Sequence, residues 1–270
     1  MKKVALITGA SAGMGKETAK LLAQNSYTVY AAARRLDKMK DLEPLGIKTL
    51  SMDVTDETSM IKGVQQILDT EKRIDVLINN AGFGAYGTIE DVPMNDAKYQ
   101  LEVNVFGAAR LIQLVLPKMR ENKFGKIVNI SSIGGKFALP YGGWYHASKF
   151  ALEALSDALR NEVKQFGIDV IVIEPGGVKS EWANIAYDNL VKNSTHSAYK
   201  ATIDKLADFM KKATAKNAEP EVITNLILKS IEAKKPKFRY VGGYMAKSAV
   251  IARKLLSDKL FDKMIMRQMK

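Results

Sequence analysis

Short apolar runs alternate along the chain with stretches in which apolar residues return every third or fourth position. The runs Lys3–Thr8, Thr28–Ala33, Ile47–Met52, Ile74–Asn79, Lys126–Ser131 and Asp169–Glu174 predict strands. Helical spacing predicts helices over Gly13–Gln24, near Glu57–Thr70 and from about Asp96 to Arg120. A further helix over Trp144–Phe166 is carried by Ala151, Leu152, Leu155, Leu159 and Val163. Repeated strand–helix alternation builds βαβ units, and right-handed crossovers then give a doubly wound parallel sheet with helices on both faces. After Pro175 the pattern loosens. Residues 176–198 read as an irregular loop, followed by helices near Lys200–Lys212 and Pro220–Ala233, a last strand at Phe238–Val241 and one final helix over Tyr244–Gln268. No low-complexity linker and no solenoid-type repeat interrupts the chain, so residues 1–270 read as a single α/β domain.

The first strand runs into Thr8-Gly9-Ala10-Ser11-Ala12-Gly13-Met14-Gly15, and a helix follows. A tight turn there needs backbone freedom, and a pyrophosphate must approach the main chain without a Cβ in its way. The helix start then offers N–H groups and a positive dipole end to phosphates. The spacing is GxxxGxG rather than GxGxxG. The second strand ends in Ala33-Arg34-Arg35, where an NAD site usually carries an acid for the ribose hydroxyls. A guanidinium at that point suits a 2′-phosphate, so NADP(H) is the expected cofactor, with Arg34 and Arg35 as its ligands. Asp37 lies nearby as a competing acid.

Tyr145 and Lys149 stand four apart on the helix expected at Trp144–Phe166 and so share a face. An ammonium beside a phenol favours phenolate and lowers the phenol pKa, which makes Tyr145 a candidate general acid or base. Ser132 closes the fifth strand, at the sheet edge where open α/β folds bind ligands, and can hydrogen-bond a substrate oxygen. A strand alternates its faces, so only one of Ser131 and Ser132 points into such a site.

These segments resemble the short-chain dehydrogenase/reductase family. Thr8–Gly15, Asp53-Val54, Asn79-Asn80-Ala81-Gly82, Asn104, Ser132, Tyr145-His146-Ala147-Ser148-Lys149 and Pro175-Gly176 stand in that family's order and spacing. The likeness covers residues 1–180 well and the remainder loosely. It implies a Rossmann-type fold and an oxidoreductase that moves a hydride between nicotinamide and an alcohol or carbonyl carbon. By that resemblance Gly9, Ser11, Gly13, Met14 and Gly15 hold the dinucleotide. Asp53 contacts the adenine amino group and Val54 flanks the ring. Asn80, Ala81 and Gly82 support the central strand and the nicotinamide-side ribose, which Lys149 also binds. The main chain at Pro175, Gly176 and Val178 binds the carboxamide, and Ser180 contacts it or a phosphate, although the family often has Thr there. Ser132, Tyr145 and Lys149 form the catalytic set, and Asn104 holds a water in a proton relay. The tail Phe238–Lys270 resembles the hydroxysteroid/retinol-dehydrogenase-like branch, which implies a hydrophobic substrate. A homo-oligomer is also implied.

The rest of the chain narrows the alternatives. It has no cysteine, so disulfide and thiolate chemistry are excluded and a reducing, cytoplasmic setting fits. No apolar run reaches membrane-spanning length. His146 and His196 lack partners at ligand spacing and are expected to pack in loops or at the surface rather than bind a metal. Trp182, Tyr187, Tyr141, Trp144 and Phe83 are candidates to line the substrate pocket. The net charge is +12, and residues 234–270 carry eleven Lys/Arg against Asp258 and Asp262. There Ile251, Leu255, Leu256, Leu260, Met264 and Ile265 recur at near-helical spacing. That stripe is expected to dock on its own domain, with a second subunit or an anionic membrane surface as the other possibilities. A non-catalytic NADP(H) sensor needs none of the proton chemistry of Ser132, Tyr145 and Lys149. A nucleic-acid adaptor lacks a stacking motif.

Overall fold

A computed structural model describes residues 2–194, 197–205 and 214–268. Seven parallel strands form one sheet: β1 (Val4–Thr8), β2 (Thr28–Ala33), β3 (Lys48–Ser51), β4 (Val76–Asn79), β5 (Gly125–Ile130), β6 (Ile168–Pro175) and β7 (Arg239–Gly242). Their order is β3-β2-β1-β4-β5-β6-β7. The winding reverses between β1 and β4, and at such a reversal the carboxyl ends of the strands leave a crevice. Every strand residue of β1, β4 and β5 is buried, as expected of a parallel sheet covered on both faces.

Helix α1 (Gly13–Gln24) joins β1 to β2, and α2 (Glu57–Glu71) joins β3 to β4. The Asp56 side chain accepts from the amides of Thr58 and Ser59 and so caps α2. Helices α3 (Met94–Leu101) and α4 (Gly107–Glu121) form one rod, interrupted by a π-helical turn at Glu102–Phe106. Helix α5 (Gly143–Val163) follows β5, α6 (Glu181–Asn193) follows β6, and α7 (Glu221–Glu232) precedes β7. Helices α8 (Ala246–Leu255) and α9 (Asp258–Gln268) end the described chain. Alternate strand residues feed two cores. Ile7, Val128 and Ile171 pack with Ile223, Ile227 and Ile231 of α7, whereas Leu6, Leu77 and Ile127 pack with Leu111 and Val115 of α4.

Four expectations need correction. Residues 181–193 are a helix, not an irregular loop, and Gly177 and Val178 before it form bridges to Tyr244 and Ala218. The single final helix is two helices, because Leu256 is extended and the Ser257 carbonyl accepts from the amides of Leu260 and Phe261 to begin α9. Leu36–Leu45, to which the pattern assigned nothing, is a 3₁₀ helix that buries Met39 and Leu42. Leu155 is exposed rather than part of the core face of α5. Of the helix expected at Lys200–Lys212, residues 200–205 are helical and 206–212 lie outside the described residues, as does His196. Among the described residues no helix is long and apolar enough to cross a membrane.

A buried polar thread ties α5 to the middle of the sheet. Asn79 Nδ2 donates to Asn129 Oδ1 at 2.8 Å, Asn129 Nδ2 donates to Ser156 Oγ at 2.9 Å, and Ser156 donates to the Leu152 carbonyl at 2.6 Å. All three side chains are buried. Truncating the central amide strands its partners, so Asn129→Ala is expected to cost about 1–3 kcal/mol in urea unfolding. The double change Asn79→Leu/Asn129→Leu removes donor and acceptor together. It should cost less than the sum of the single changes, and strict additivity would show the two amides to be uncoupled.

Candidate active site

The crevice at the strand reversal is lined by the glycine turn after β1, by Ala33, Arg34 and Arg35 after β2, and by Asp53 and Val54 after β3. Asn80, Ala81, Gly82 and Phe83 after β4, Tyr99 and Val103 of the long rod, and Ser180, Glu181, Trp182 and Ile185 at the start of α6 also line it. Gly9 has φ +66°, and a Cβ on it would lie 2.8 Å from Ala81 Cα. Gly15 does not line the crevice. A Cβ there would lie 2.6 Å from the Gly9 carbonyl oxygen, so its bareness lets α1 press against the turn. Asn80 Nδ2 donates to the carbonyls of Thr8 and Gly9, and the amides of Asn80 and Ala81 donate to Thr8 Oγ1. One hydroxyl and one amide thus lock the β1 turn to the β4 end. Helix α1 is preceded by Ala12, which offers no side-chain cap, and has no acid in its first turn, which leaves its start suited to an anion.

Arg34 donates to Tyr99 Oη at 2.7 Å, stands 3.9 Å from Asp53 and keeps most of its side chain exposed. Arg35 donates to Ser11 Oγ at 3.1 Å and pairs with Glu181 at 2.9 Å, bridging the glycine turn and α6. Asp53 Oδ1 accepts from the Thr55 amide and hydroxyl, which fixes its carboxylate. Pro175, Gly176 and Val178 stand outside the crevice lining. The Gly176 and Gly177 amides donate to the carbonyls of Gly242 and Tyr244, and the Lys179 amide donates to that of Ala218.

Tyr145, Lys149, Ser132 and Asn104 come together where α5 crosses the ends of β5 and β4. Lys149 is buried, donates to the Ile130 carbonyl at 2.9 Å and lies 5.8 Å from the Tyr145 ring centre. Ser132 Oγ donates to the Pro175 carbonyl at 3.4 Å and accepts from the Gly134 amide at 3.0 Å. Ser131 turns away, with its Oγ buried. Asn104 sits in the π turn. Its Oδ1 accepts from the Phe83 amide, and its Nδ2 donates to the Phe83 carbonyl and to Ser148 Oγ. The side-chain amide is therefore committed to protein partners. His146 is buried against the Gly134 carbonyl, in a loop-packing role.

The expected lowering of the Tyr145 pKa is not what this arrangement gives. Burial pushes the phenol up to about 12, only partly offset by the Ser132 hydroxyl. Burial also pulls Lys149 down to about 8, with Glu153 one turn along α5 acting in the opposite sense. The phenol lies under aromatic cover that the motif spacing does not report. Trp182 packs against Tyr145 at a tilt, with ring centres 4.9 Å apart, and Tyr86 lies 5.6 Å away. Asn189 and Asn193 of α6 donate to the carbonyls of Gly84 and Tyr86, which pins the helix over the phenol. Tyr86, Tyr99, Glu181 and Thr8 were not identified from sequence as site residues. Thr8 alone left a signal, as a hydroxyl beside the glycine turn.

Residues 3–191 match the family described as short chain dehydrogenase. The chain is 36% identical over 238 residues to a 3-ketodihydrosphingosine reductase of Bacteroides thetaiotaomicron, covering 88% of this chain and 86% of that one. It is 35% identical over 280 residues to an NADPH-dependent 3-dehydrocapnine reductase of Ornithobacterium rhinotracheale, covering 99% and 98%. A crystal structure of a short-chain dehydrogenase from Streptomyces avermitilis superposes with TM-score 0.83 at 29% identity, over 98% of this chain and 96% of that one.

Proposed function

The chain belongs to the short-chain dehydrogenase/reductase family of nicotinamide-dependent oxidoreductases, and from that premise we propose that it is an NADPH-dependent reductase of hydrophobic ketones. The observation that carries the reading is Tyr145, held protonated by burial, beside Ser132 and above a buried Lys149. The Tyr145 phenol is protonated at neutral pH and can give its proton to a carbonyl oxygen during reduction. A relative named as a 3-ketodihydrosphingosine reductase makes a long-chain 3-keto amine the first substrate to test.

The crevice fits a dinucleotide. Gly9, Gly13 and Gly82 line it, the start of α1 is uncapped, and the exposed Arg34 stands at the end of β2 without an acid at Ala33. When bound, the nicotinamide supplies the hydride. We assign Gly9, Ser11, Gly13 and Met14 to the pyrophosphate side, with Gly15 shaping the turn from below. Arg34 and Arg35 take the 2′-phosphate, Asp53 and Val54 the adenine, and Asn80, Ala81 and Gly82 the ribose side. The Val178 amide and the Ser180 hydroxyl are assigned to the carboxamide, with Pro175 and Gly176 positioning that segment. Ser132 holds the carbonyl oxygen, Tyr145 gives it a proton, and the Lys149 cation stabilises the phenolate that results. Asn104 positions the Phe83 loop and Ser148 through its side chain, so any relay through this residue uses its main chain. Trp182 and Tyr86 face the position of the ketone and select for an apolar substrate. Phe106, Phe150 and Leu155, all exposed on the long helices, support a homo-oligomer.

Tyr145→Phe keeps the ring and removes the proton. Turnover of a 3-keto lipid, followed as NADPH absorbance, should fall at least ~100-fold with NADPH affinity little changed. Normal turnover by a folded variant would exclude Tyr145 as the donor.

Wild type should bind NADPH more tightly than NADH in a fluorescence titration. Ala33→Asp with Arg34→Ser should erase or reverse that order, because the acid repels a phosphate and accepts ribose hydroxyls. Equal wild-type affinities would refute the reading of β2.

The Lys149 pKa near 8 is a lowered one, so its cation is present below that pH and is lost above it. The kcat/KM for reduction should be level on the acid side of about 8 and decline on the alkaline side. Glu153→Gln removes the neighbouring negative charge that raises Lys149, and so should move the decline to lower pH. A decline unmoved by that change would assign the limb to another group.

A further inference from the structure

Helices α8 and α9 are attached to the domain by few side chains. Ala246 is buried against Gly176, where a Cβ would come within 2.9 Å of it. Phe261 is buried with its ring 5.2 Å from that of Phe137, in the segment that follows Ser132. The expected apolar stripe docks only in part, since Leu256, Met264 and Ile265 are half-buried. Ile251, Leu255 and Leu260 are 57%, 76% and 54% exposed.

Cations surround these side chains. Lys247, Ile251, Lys254 and Leu255 recur at four- and three-residue steps along one side of α8, and Lys259, Lys263 and Arg267 recur likewise on α9. Arg253 pairs with Asp258 at 2.6 Å and covers the Phe261 ring, so it is spent inside the helix pair. Lys247, Lys254, Lys259, Lys263 and Arg267 are exposed and form no ion pair among the described residues.

We propose that α8 and α9 seat the protein on an anionic lipid surface, next to the sheet edge that carries Ser132. The inference goes beyond the redox reading and does not depend on it. Apolar side chains with lysines and arginines between them match the boundary between acyl chains and phosphate headgroups, because the long cationic stems lie along apolar surface while their heads reach the phosphates. A second copy of the same face would set these cations against their equivalents, and like charges across an interface oppose association. A nucleic acid would satisfy the charges but leave the exposed aliphatic side chains in water. Anionic lipid satisfies both at once. The placement has a consequence for the site, because α8 begins where Gly176 and Gly177 pair with the 242–244 segment at the end of β6. A surface reached by α8 and α9 therefore lies beside the substrate end of the crevice.

The test is vesicle flotation of the full-length protein with phosphatidylcholine vesicles and with vesicles of equal phosphatidylcholine and phosphatidylglycerol. The bound fraction should be at least ~10-fold higher on the anionic vesicles at low salt and should fall steeply as salt is raised. Ile251→Ser/Leu255→Ser removes apolar contact without changing charge, and Lys254→Gln/Lys259→Gln/Lys263→Gln removes charge without changing the apolar side chains. Each should lower binding several-fold while thermal unfolding and NADPH binding stay as in wild type. The proposal is overturned by a folded wild-type protein that ignores anionic vesicles or binds both kinds equally. It is also overturned if the serine variant turns an oligomer into a monomer in light scattering, since that would show the face to be covered by a second copy.

Discussion

The geometry of the site depends on one buried amide with two partners. Asn129 sits in β5, beside the middle strand, accepts from Asn79 on β4 and donates to Ser156 on α5. A polar side chain that is buried must find its partners or carry a desolvation cost, so these three residues hold one register between two strands and a helix. Ser156 lies two turns along α5 from Lys149, so the helix position that brings the ammonium to the Ile130 carbonyl is set from within the core. Apolar packing alone would tolerate a small slide of α5 along the sheet, whereas the amide does not.

The electrostatics of the site arise from burial acting on two groups at once. Burial raises the phenol and lowers the ammonium, because in each case the charged form is the one excluded from water. Behind Lys149 lies a compensating cluster in which Lys136 and Arg239 bridge the buried Glu153 and Glu174. Burial raises Glu174, with Glu153 adding to it and the two cations opposing. This cluster joins α5 to β6 and β7, so the charge environment of Lys149 is part of the fold's framework.

The sheet and its flanking helices were legible because each strand is a continuous apolar run and each long helix has a stripe of several turns. α1 and β2 were read to their observed ends. Helix α6 was not legible, because its buried stripe is only Ala186 and Leu190, and two residues four apart make no period. The break between α8 and α9 was hidden by apolar spacing that runs through it, and only the Ser257 carbonyl marks the new start. The motif residues of the site could be read because glycine, serine, tyrosine and lysine carry their chemistry in their type and spacing. The neighbours that set pKa values could not. Trp182 and Tyr86 meet Tyr145 only after the chain has folded, and the commitment of the Asn104 amide to Phe83 and Ser148 is likewise a tertiary fact.

The π turn at Glu102–Phe106 gives the long rod one place where its length can change. In it the Gly107 amide reaches back five residues to the Glu102 carbonyl, so the rod carries one residue more than a plain helix over the same span. Losing one residue in the turn closes it to a plain helix and leaves α3 and α4 facing as they do. Elsewhere in the rod each residue turns the chain by about 100°, so a deletion rotates the helix between that point and the turn. The side chain held against Phe83 exists only in the bulged form, because Asn104 lies within it. A single-codon deletion at the turn therefore spares the sheet and its helices while it removes the hold on the Phe83 loop, so fold and site part company at this one point of the chain.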